Sequence, residues 1–469
     1  MNKLFVSAGL LAAGAASIQT TSAQSLDVIS PNAWSVSGTL RGFYDSNYNI
    51  SATKKGSFGV EASPSVSYNL PLQQTDMGIR YTYGVYYYQD RQDLNLNPID
   101  QTHQVDLWLD HAINERWHIN ATDTFASGQE PELLTPGLGN VAATPYRVNG
   151  DNIANHAMVK LDTQWTRELG TSLHYNNDFY YYDNHGATDE NTGTGPNPNP
   201  APFPGNTPGQ PGAYYIFGNN NGAASLAGLL NRVEQNIGAD VNWTFSPELK
   251  VFAGYSFGLV NYIGDEPIAF DNFTVSDPVL LYKSIVFRSA SRDFFSHNVY
   301  AGLNYQLLAN LVLQGTVGAE YIDSYNNPLA NTTSWSPTAN VSLSYTYNPG
   351  SYVQIGVTQG ENSTDVVQPA ANGSITEYQY STVFYADLNH RLTSKLMASL
   401  IGRYVYSTYE GGAFSTDADS DYNFSANLSY QISRHFSTEI GYSYDDLSSE
   451  VPGRAYTRNR VYIGVGANY

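Results

Sequence analysis

The pentapeptide Gly254-Tyr255-Ser256-Phe257-Gly258 has the Gly-x-Ser-x-Gly spacing that, in a hydrolase, presents a nucleophilic serine on a strained turn between strand and helix. Here it sits inside a segment alternating Tyr and Phe with small residues, and no helical pattern follows. Ser256 therefore reads as a small strand residue, and no catalysis is expected. His118, His156 and His174 share a face on consecutive segments, which is the residue type for a metal site. His156 falls near one end of its segment and the other two near the opposite end, so no ligand set converges and neither metal nor cofactor is expected.

The charges offer different chemistry. Arg41, Arg80, Arg403, Arg458 and Arg460, and the carboxylates Glu61, Asp106, Asp110, Asp162, Asp178, Asp240, Glu320, Glu377, Asp387 and Glu439, all fall opposite the apolar face of alternating segments. A lipid-facing Arg or Lys near a membrane midplane costs about 2–4 kcal/mol, so in a membrane protein these residues must line the interior. Basic and acidic walls facing each other across water would sort solutes by charge and dipole. Arg41 lies on the first segment and Arg458 and Arg460 on the last, so a closed sheet would bring them together as a basic wall. Solvation and cross-strand pairing of the same side chains is the plainer alternative. Inward aromatics such as Phe43, Tyr86, Tyr88, Trp108, Tyr180, Tyr182, Tyr300 and Tyr385 could form a saccharide track or merely extend the rim.

The elements that must carry these residues are strands. From Tyr456 to Tyr469, Val461, Ile463, Val465, Ala467 and Tyr469 take one face, and Arg458, Arg460, Gly464, Gly466 and Asn468 the other. Residues 395–406, 422–431 and 436–445 repeat the pattern, each apolar face bounded by aromatics as in a lipid-facing strand with two girdles. Short turns recur at Gln73-Gln74-Thr75, Asn114-Glu115-Arg116, Thr166-Arg167-Glu168, Ser246-Pro247-Glu248, Leu308-Ala309-Asn310, Asn348-Pro349-Gly350, Leu392-Thr393-Ser394 and Ser433-Arg434-His435. Between them lie long polar stretches, among them 128–151, 184–229, 263–290 and 361–372. Eight hairpins with a first and a last strand predict an all-β, transmembrane, antiparallel up-and-down barrel of about 18 strands, within 16–20. Three places fit less cleanly. Pro64 and Asp123 fall in lipid-facing register, which calls for a bulge or a strand end, and Val279–Tyr282 with Lys283–Phe287 could add a hairpin.

Composition agrees. Charged residues are 14 % against roughly 25 % in soluble proteins, and the chain has 38 Tyr and no cysteine, which removes disulfides and thiol chemistry. A soluble propeller-like protein shares part of this profile and is the alternative architecture. The net charge of −20 argues against a nucleic-acid partner. Lys3, the apolar run Leu4 to Ala16 and the small residues before Gln24 read as a secretory signal over 1–23, leaving 24–469 as the barrel. No plug-sized segment precedes Trp34, which argues against an energised, gated transporter.

The signal, the hairpin rhythm and the terminal aromatic together resemble the outer-membrane β-barrel porins of Gram-negative-type bacteria, of the general porin kind. A narrower porin-like family is resembled in Gln129-Glu130-Pro131-Glu132-Leu133-Leu134 and in Pro145-Tyr146-Arg147-Val148-Asn149-Gly150-Asp151-Asn152. The resemblance implies outer-membrane localisation, passive diffusion of small hydrophilic solutes or ions, recognition of Tyr469 by the barrel assembly machinery, and a homotrimer. It also makes the third external connection the first choice for a segment folded inward, with Glu130, Glu132, Arg147 and Asp151 as candidates for a constriction, a purely external position being the alternative. The Pro-rich tract within 191–212 is the second choice. A loop-plugged barrel serving as adhesin or surface scaffold is the alternative function, and a barrel hydrolase resting on Ser256 the third.

Overall fold

The computed structural model describes residues 33–94, 97–128, 152–183, 226–273, 283–329, 331–370 and 372–469. The signal reading over 1–23 lies outside them. The first nine strands are β1 (Trp34–Asp45), β2 (Ser57–Pro71), β3 (Thr75–Tyr88), β4 (Ile99–Ala112), β5 (Trp117–Gly128), β6 (Asn152–Gln164), β7 (Leu169–Tyr182), β8 (Arg232–Ser246) and β9 (Leu249–Tyr262). A short hairpin, β10 (Pro267–Phe273) and β11 (Lys283–Arg288), follows. The rest are β12 (Phe294–Leu308), β13 (Leu311–Ser324), β14 (Thr332–Asn348), β15 (Ser351–Asn362), β16 (Tyr378–Arg391), β17 (Leu396–Glu410), β18 (Ala418–Gln431), β19 (Phe436–Ser449) and β20 (Tyr456–Asn468).

All but the hairpin form one 18-stranded antiparallel sheet that closes where β1 pairs β20, with Arg41 opposite Gly464 and Asp45 opposite Arg460. Closure removes every edge, the condition for a sheet to cross a membrane. The expected count of 18 is the observed one, and among the described residues β10 pairs with β11 in a separate two-stranded sheet. Lys283–Phe287 is thus a strand, but its partner is the segment from Pro267, outside the barrel.

Parity decides the radial direction of each side chain. On β20, Val461, Ile463 and Val465 are 47–63 % exposed, while Arg458 and Arg460 on the alternate face are 1–2 % exposed. The same inversion, apolar out and charged in, runs around the barrel, as lipid requires. Ile463→Arg, in the middle of β20, should cost about 2–4 kcal/mol. Refolding into lipid vesicles would show it as a lower denaturant midpoint than Gln314→Arg, on the inner face of β13. Equal losses would mean the faces are misassigned.

The eight short turns are where the sequence placed them, and side-chain oxygens build several. Asn114 Oδ1 accepts from the backbone N–H of Arg116 and Trp117, Thr166 Oγ1 from Glu168 and Leu169, Thr393 Oγ1 from Lys395 and Leu396, and Ser433 Oγ from His435 and Phe436. By the usual asymmetry these turns are periplasmic and the long connections external.

Three local expectations change. Pro64 causes no bulge: Ser63 and Pro64 drop out of the β2–β3 ladder, while Ala62 opposite Val85 and Ser65 opposite Thr82 keep one register. Asp123 lies within an unbroken β5, where its carboxylate accepts a 2.6 Å hydrogen bond from Asn155 Nδ2 on β6. Glu377 belongs to the connection 363–377 and not to a strand, because β16 begins only at Tyr378.

Candidate functional site

The interior wall is built at the seam first. Arg41 Nε donates to Glu439 Oε1 at 2.6 Å and its NH1 to Glu61 Oε1 at 2.9 Å, while Arg460 NH2 reaches Glu61 Oε2 at 3.1 Å. Arg458 Nε donates to Asp45 Oδ2 at 2.8 Å. Gly464 makes room for this: a Cβ there would stand 2.7 Å from Arg41 Cγ. The three guanidiniums therefore meet carboxylates, and the expected basic wall is a network of mixed charge. Its physical reason is register, since closure puts Glu61 and Glu439 on the strands flanking β1 and β20.

Strands β3 to β8 carry further inward charges. Arg80 pairs with Asp106 at 3.0 Å, Lys160 with Asp162 at 3.0 Å, and Arg232 with Glu234 at 2.6 Å. Asp110 is met by His118 at 2.6 Å, Asp178 by His156 at 2.7 Å and Asp240 by His174 at 3.6 Å. The three histidines thus occupy separate pairs. Glu320 lies on the inner face of β13, Arg403 donates to Asn423 Oδ1 on the inner face of β17, and Asp387 is fully buried on β16. Ser256 is buried in mid β9 opposite Asn298 of β12, with no turn or helix beside it.

The inward aromatics are largely engaged in packing. Arg460 lies over Phe43 at 4.0 Å, Arg232 over Tyr180 at 3.9 Å, and Tyr300 donates its hydroxyl to Asp240 at 2.6 Å. Arg91 stacks on Tyr88 at 4.0 Å and reaches both oxygens of Asp100 at 2.6 Å, fixing the β3–β4 connection.

At the external end the lumen is partly roofed. Val260 and Tyr262 of β9, Phe294 of β12, Ile322 of β13 and Tyr378 of β16 form one buried cluster. Phe294 and Tyr378 have ring centroids 6.1 Å apart, although four strand steps of about 4.8 Å separate β12 from β16 along the wall. At that height side chains of β9, β12, β13 and β16 pack against one another across the sector. Above it sits a second cluster joining Tyr182, Leu229, Leu230, the hairpin residues Ile268, Ala269 and Phe287, and Val367 and Ile375 of the connection 363–377.

Two arginines hold this roof. Arg292, 0 % exposed, donates from Nε to the carbonyl of Glu377 at 2.9 Å, from NH1 to Leu229 at 3.0 Å and from NH2 to Thr364 at 3.0 Å, lying 4.8 Å from the Tyr262 ring centroid. Arg454, in the β19–β20 connection, bridges Asp365 at 2.5 Å and Asp419 at 2.7 Å. Burial alone would lower the Arg454 pKa, but Asp365, Tyr409 and Asp419 more than reverse that and leave it well above the ordinary value. Gly412, at φ +68°, lets the β17–β18 connection press against Gln368 and Thr376, where a Cβ would meet backbone atoms at 2.2–2.4 Å.

Reading the sequence missed this roof. It selected 128–151 and 184–229, and Glu130, Glu132, Arg147 and Asp151 lie outside the described residues. The signal available was Arg292 and Arg454 themselves, cations within otherwise polar connections.

Residues 297–469 match the family model described as Putative beta-barrel porin 2. No curated protein matches the chain. Among solved structures, a BenF-like porin from Pseudomonas fluorescens is 9 % identical, with TM-score 0.43 over 93 % of this chain and 99 % of that one. OccK9 (OpdG) of Pseudomonas aeruginosa is 11 % identical, with TM-score 0.43 over 93 % and 98 %. The ferric enterobactin receptor PfeA of the same species is 10 % identical, with TM-score 0.40 over 92 % and 80 %. Likenesses at that level carry no weight for function. The family match covers β12 to β20, and the closed 18-stranded barrel with an apolar exterior and a charged interior has the architecture of an outer-membrane β-barrel.

Proposed function

We propose that the channel admits small hydrophilic solutes by passive diffusion and that the connection 363–377, with the β10–β11 hairpin, narrows its external mouth. The observation that carries this is the pinning of that connection by Arg292 and Arg454 over a sector already filled by side chains. Solutes would then enter beside the β20, β1 and β2 wall. The inward charges Arg41, Glu61, Arg80, Asp106, Asp110, Asp240, Glu320, Arg403, Glu439, Arg458 and Arg460 are proposed as pore-lining. Purified protein in a planar bilayer should give stable, voltage-independent conductance steps. A folded barrel that never conducts would favour the loop-plugged adhesin or scaffold reading, for which the roof is the supporting observation.

The roof also carries a pH dependence. Burial pushes the Glu377 carboxyl above its usual range, against hydrogen bonds from Thr332 and Ser324 that favour its charged form. A group whose folded pKa exceeds its unfolded one contributes stability that is complete below the unfolded value, about 4.3, and is lost as pH rises through the folded value. Roof stability from Glu377 should therefore fall as pH rises above the usual carboxylate range. Protease protection of 363–377 would report it, and Glu377→Gln should flatten that profile. An unchanged profile would remove Glu377 as its source.

A further inference from the structure

Resting on the channel reading above, we infer that the pore prefers cations and small solutes bearing an ammonium group, and that Asp110, Asp178, Asp240 and Asp387 set this preference. The argument is one of counter-ions. At the seam, Arg41, Arg458 and Arg460 are engaged by Glu61, Glu439 and Asp45, so that wall offers no excess of positive charge. On β3 to β8 each permanent cation is likewise taken: Arg80 by Asp106, Lys160 by Asp162 and Arg232 by Glu234.

Four further inward carboxylates, Asp110, Asp178, Asp240 and Asp387, have no arginine or lysine within salt-bridge distance among the described residues. Three are met by imidazoles, His118, His156 and His174, and not by a permanent cation. The fourth, Asp387, accepts from the Tyr352 hydroxyl at 3.0 Å, and its Oδ1 is buried with no partner at all. A phenol or neutral imidazole leaves the carboxylate charge in place. Such charge on the inner wall, with low-dielectric protein behind it, attracts cations into the lumen and raises the barrier to anions.

The four also stand apart from the roof. They lie on β4, β7, β8 and β16, and none of them bonds to Arg292 or Arg454, which pin the connection 363–377. Selection by charge and narrowing by the roof are therefore separable in experiment.

The test is the reversal potential of the full chain in a planar bilayer under a KCl gradient at pH 8. The wild type should show a potassium-to-chloride permeability ratio above one. In the variant combining Asp110→Asn, Asp178→Asn, Asp240→Asn and Asp387→Asn the ratio should fall several-fold, toward unity. Because buried substitutions in that variant could impair folding, the single Asp110→Asn is measured beside it. Its side chain is 42 % exposed, and a smaller shift of the same sign is expected. Chloride preference in the wild type, or ratios unchanged in conducting variants, overturns the inference. A folded wild-type barrel with no conductance overturns instead the channel reading on which it rests.

Discussion

Replacing Arg292 with alanine should raise single-channel conductance and expose the connection 363–377 to protease while leaving the barrel folded. The guanidinium is the common partner of three backbone carbonyls from two separate connections, at Leu229, Thr364 and Glu377. A hydrogen bond to a charged group contributes about 1.5–3 kcal/mol, and removal leaves buried carbonyls unsatisfied. Since the three bonds share one donor and do not add, the local opening of the roof should become easier by about 3–5 kcal/mol. The strand ladders contain none of these contacts, so the denaturation midpoint of the barrel should move little. Arg292→Lys should rescue only in part, because an ammonium cannot reproduce a planar fork aimed at three acceptors. Unchanged conductance together with unchanged protection would show that the roof does not depend on this residue.

The second large effect is expected at Arg454. Its removal leaves Asp365 and Asp419 facing Tyr409 in a mostly buried site without their cation. Breaking such a pair costs about 3–5 kcal/mol, most of it the penalty of the charge left behind. Arg454→Met should therefore produce rapid current fluctuations as the connection 363–377 detaches from the β18 side, while Arg292 still holds its base. Adding Asp365→Asn and Asp419→Asn removes the stranded charges and should quiet the current again. A double-mutant cycle on the closed lifetime measures the coupling, and an additive result would mean the bridge contributes nothing to closure. Because the pair is buried, high salt should weaken it far less than an exposed pair.

These expectations invert the earlier weighting of charges. The residues that looked most functional in sequence, Arg41, Arg458 and Arg460, are neutralised by carboxylates that the register brings to them. Reversing the three to glutamate would therefore test the integrity of the seam more than selectivity, since it would set six carboxylates against one another. The carboxylates Asp110, Asp178 and Asp240 were visible as inward residues, but nothing in their spacing distinguished a histidine partner from an arginine one.

The sequence by itself determined what depends on neighbours along the chain. Period-two alternation assigned each side chain to lipid or lumen, turn residues such as Asn114, Thr166, Thr393 and Ser433 located the hairpins, and eight hairpins with two terminal strands counted the barrel. Each of these is local, because a strand residue points where its backbone sends it and a capped turn forms from three or four residues. Only the tertiary structure decided which inward charges cancel and what covers the mouth. Arg41 meets a carboxylate 398 residues away, and Arg292 joins carbonyls 63 to 85 residues distant. Such pairings follow from barrel closure and from the packing of connections against one another. No periodicity within a single segment encodes either.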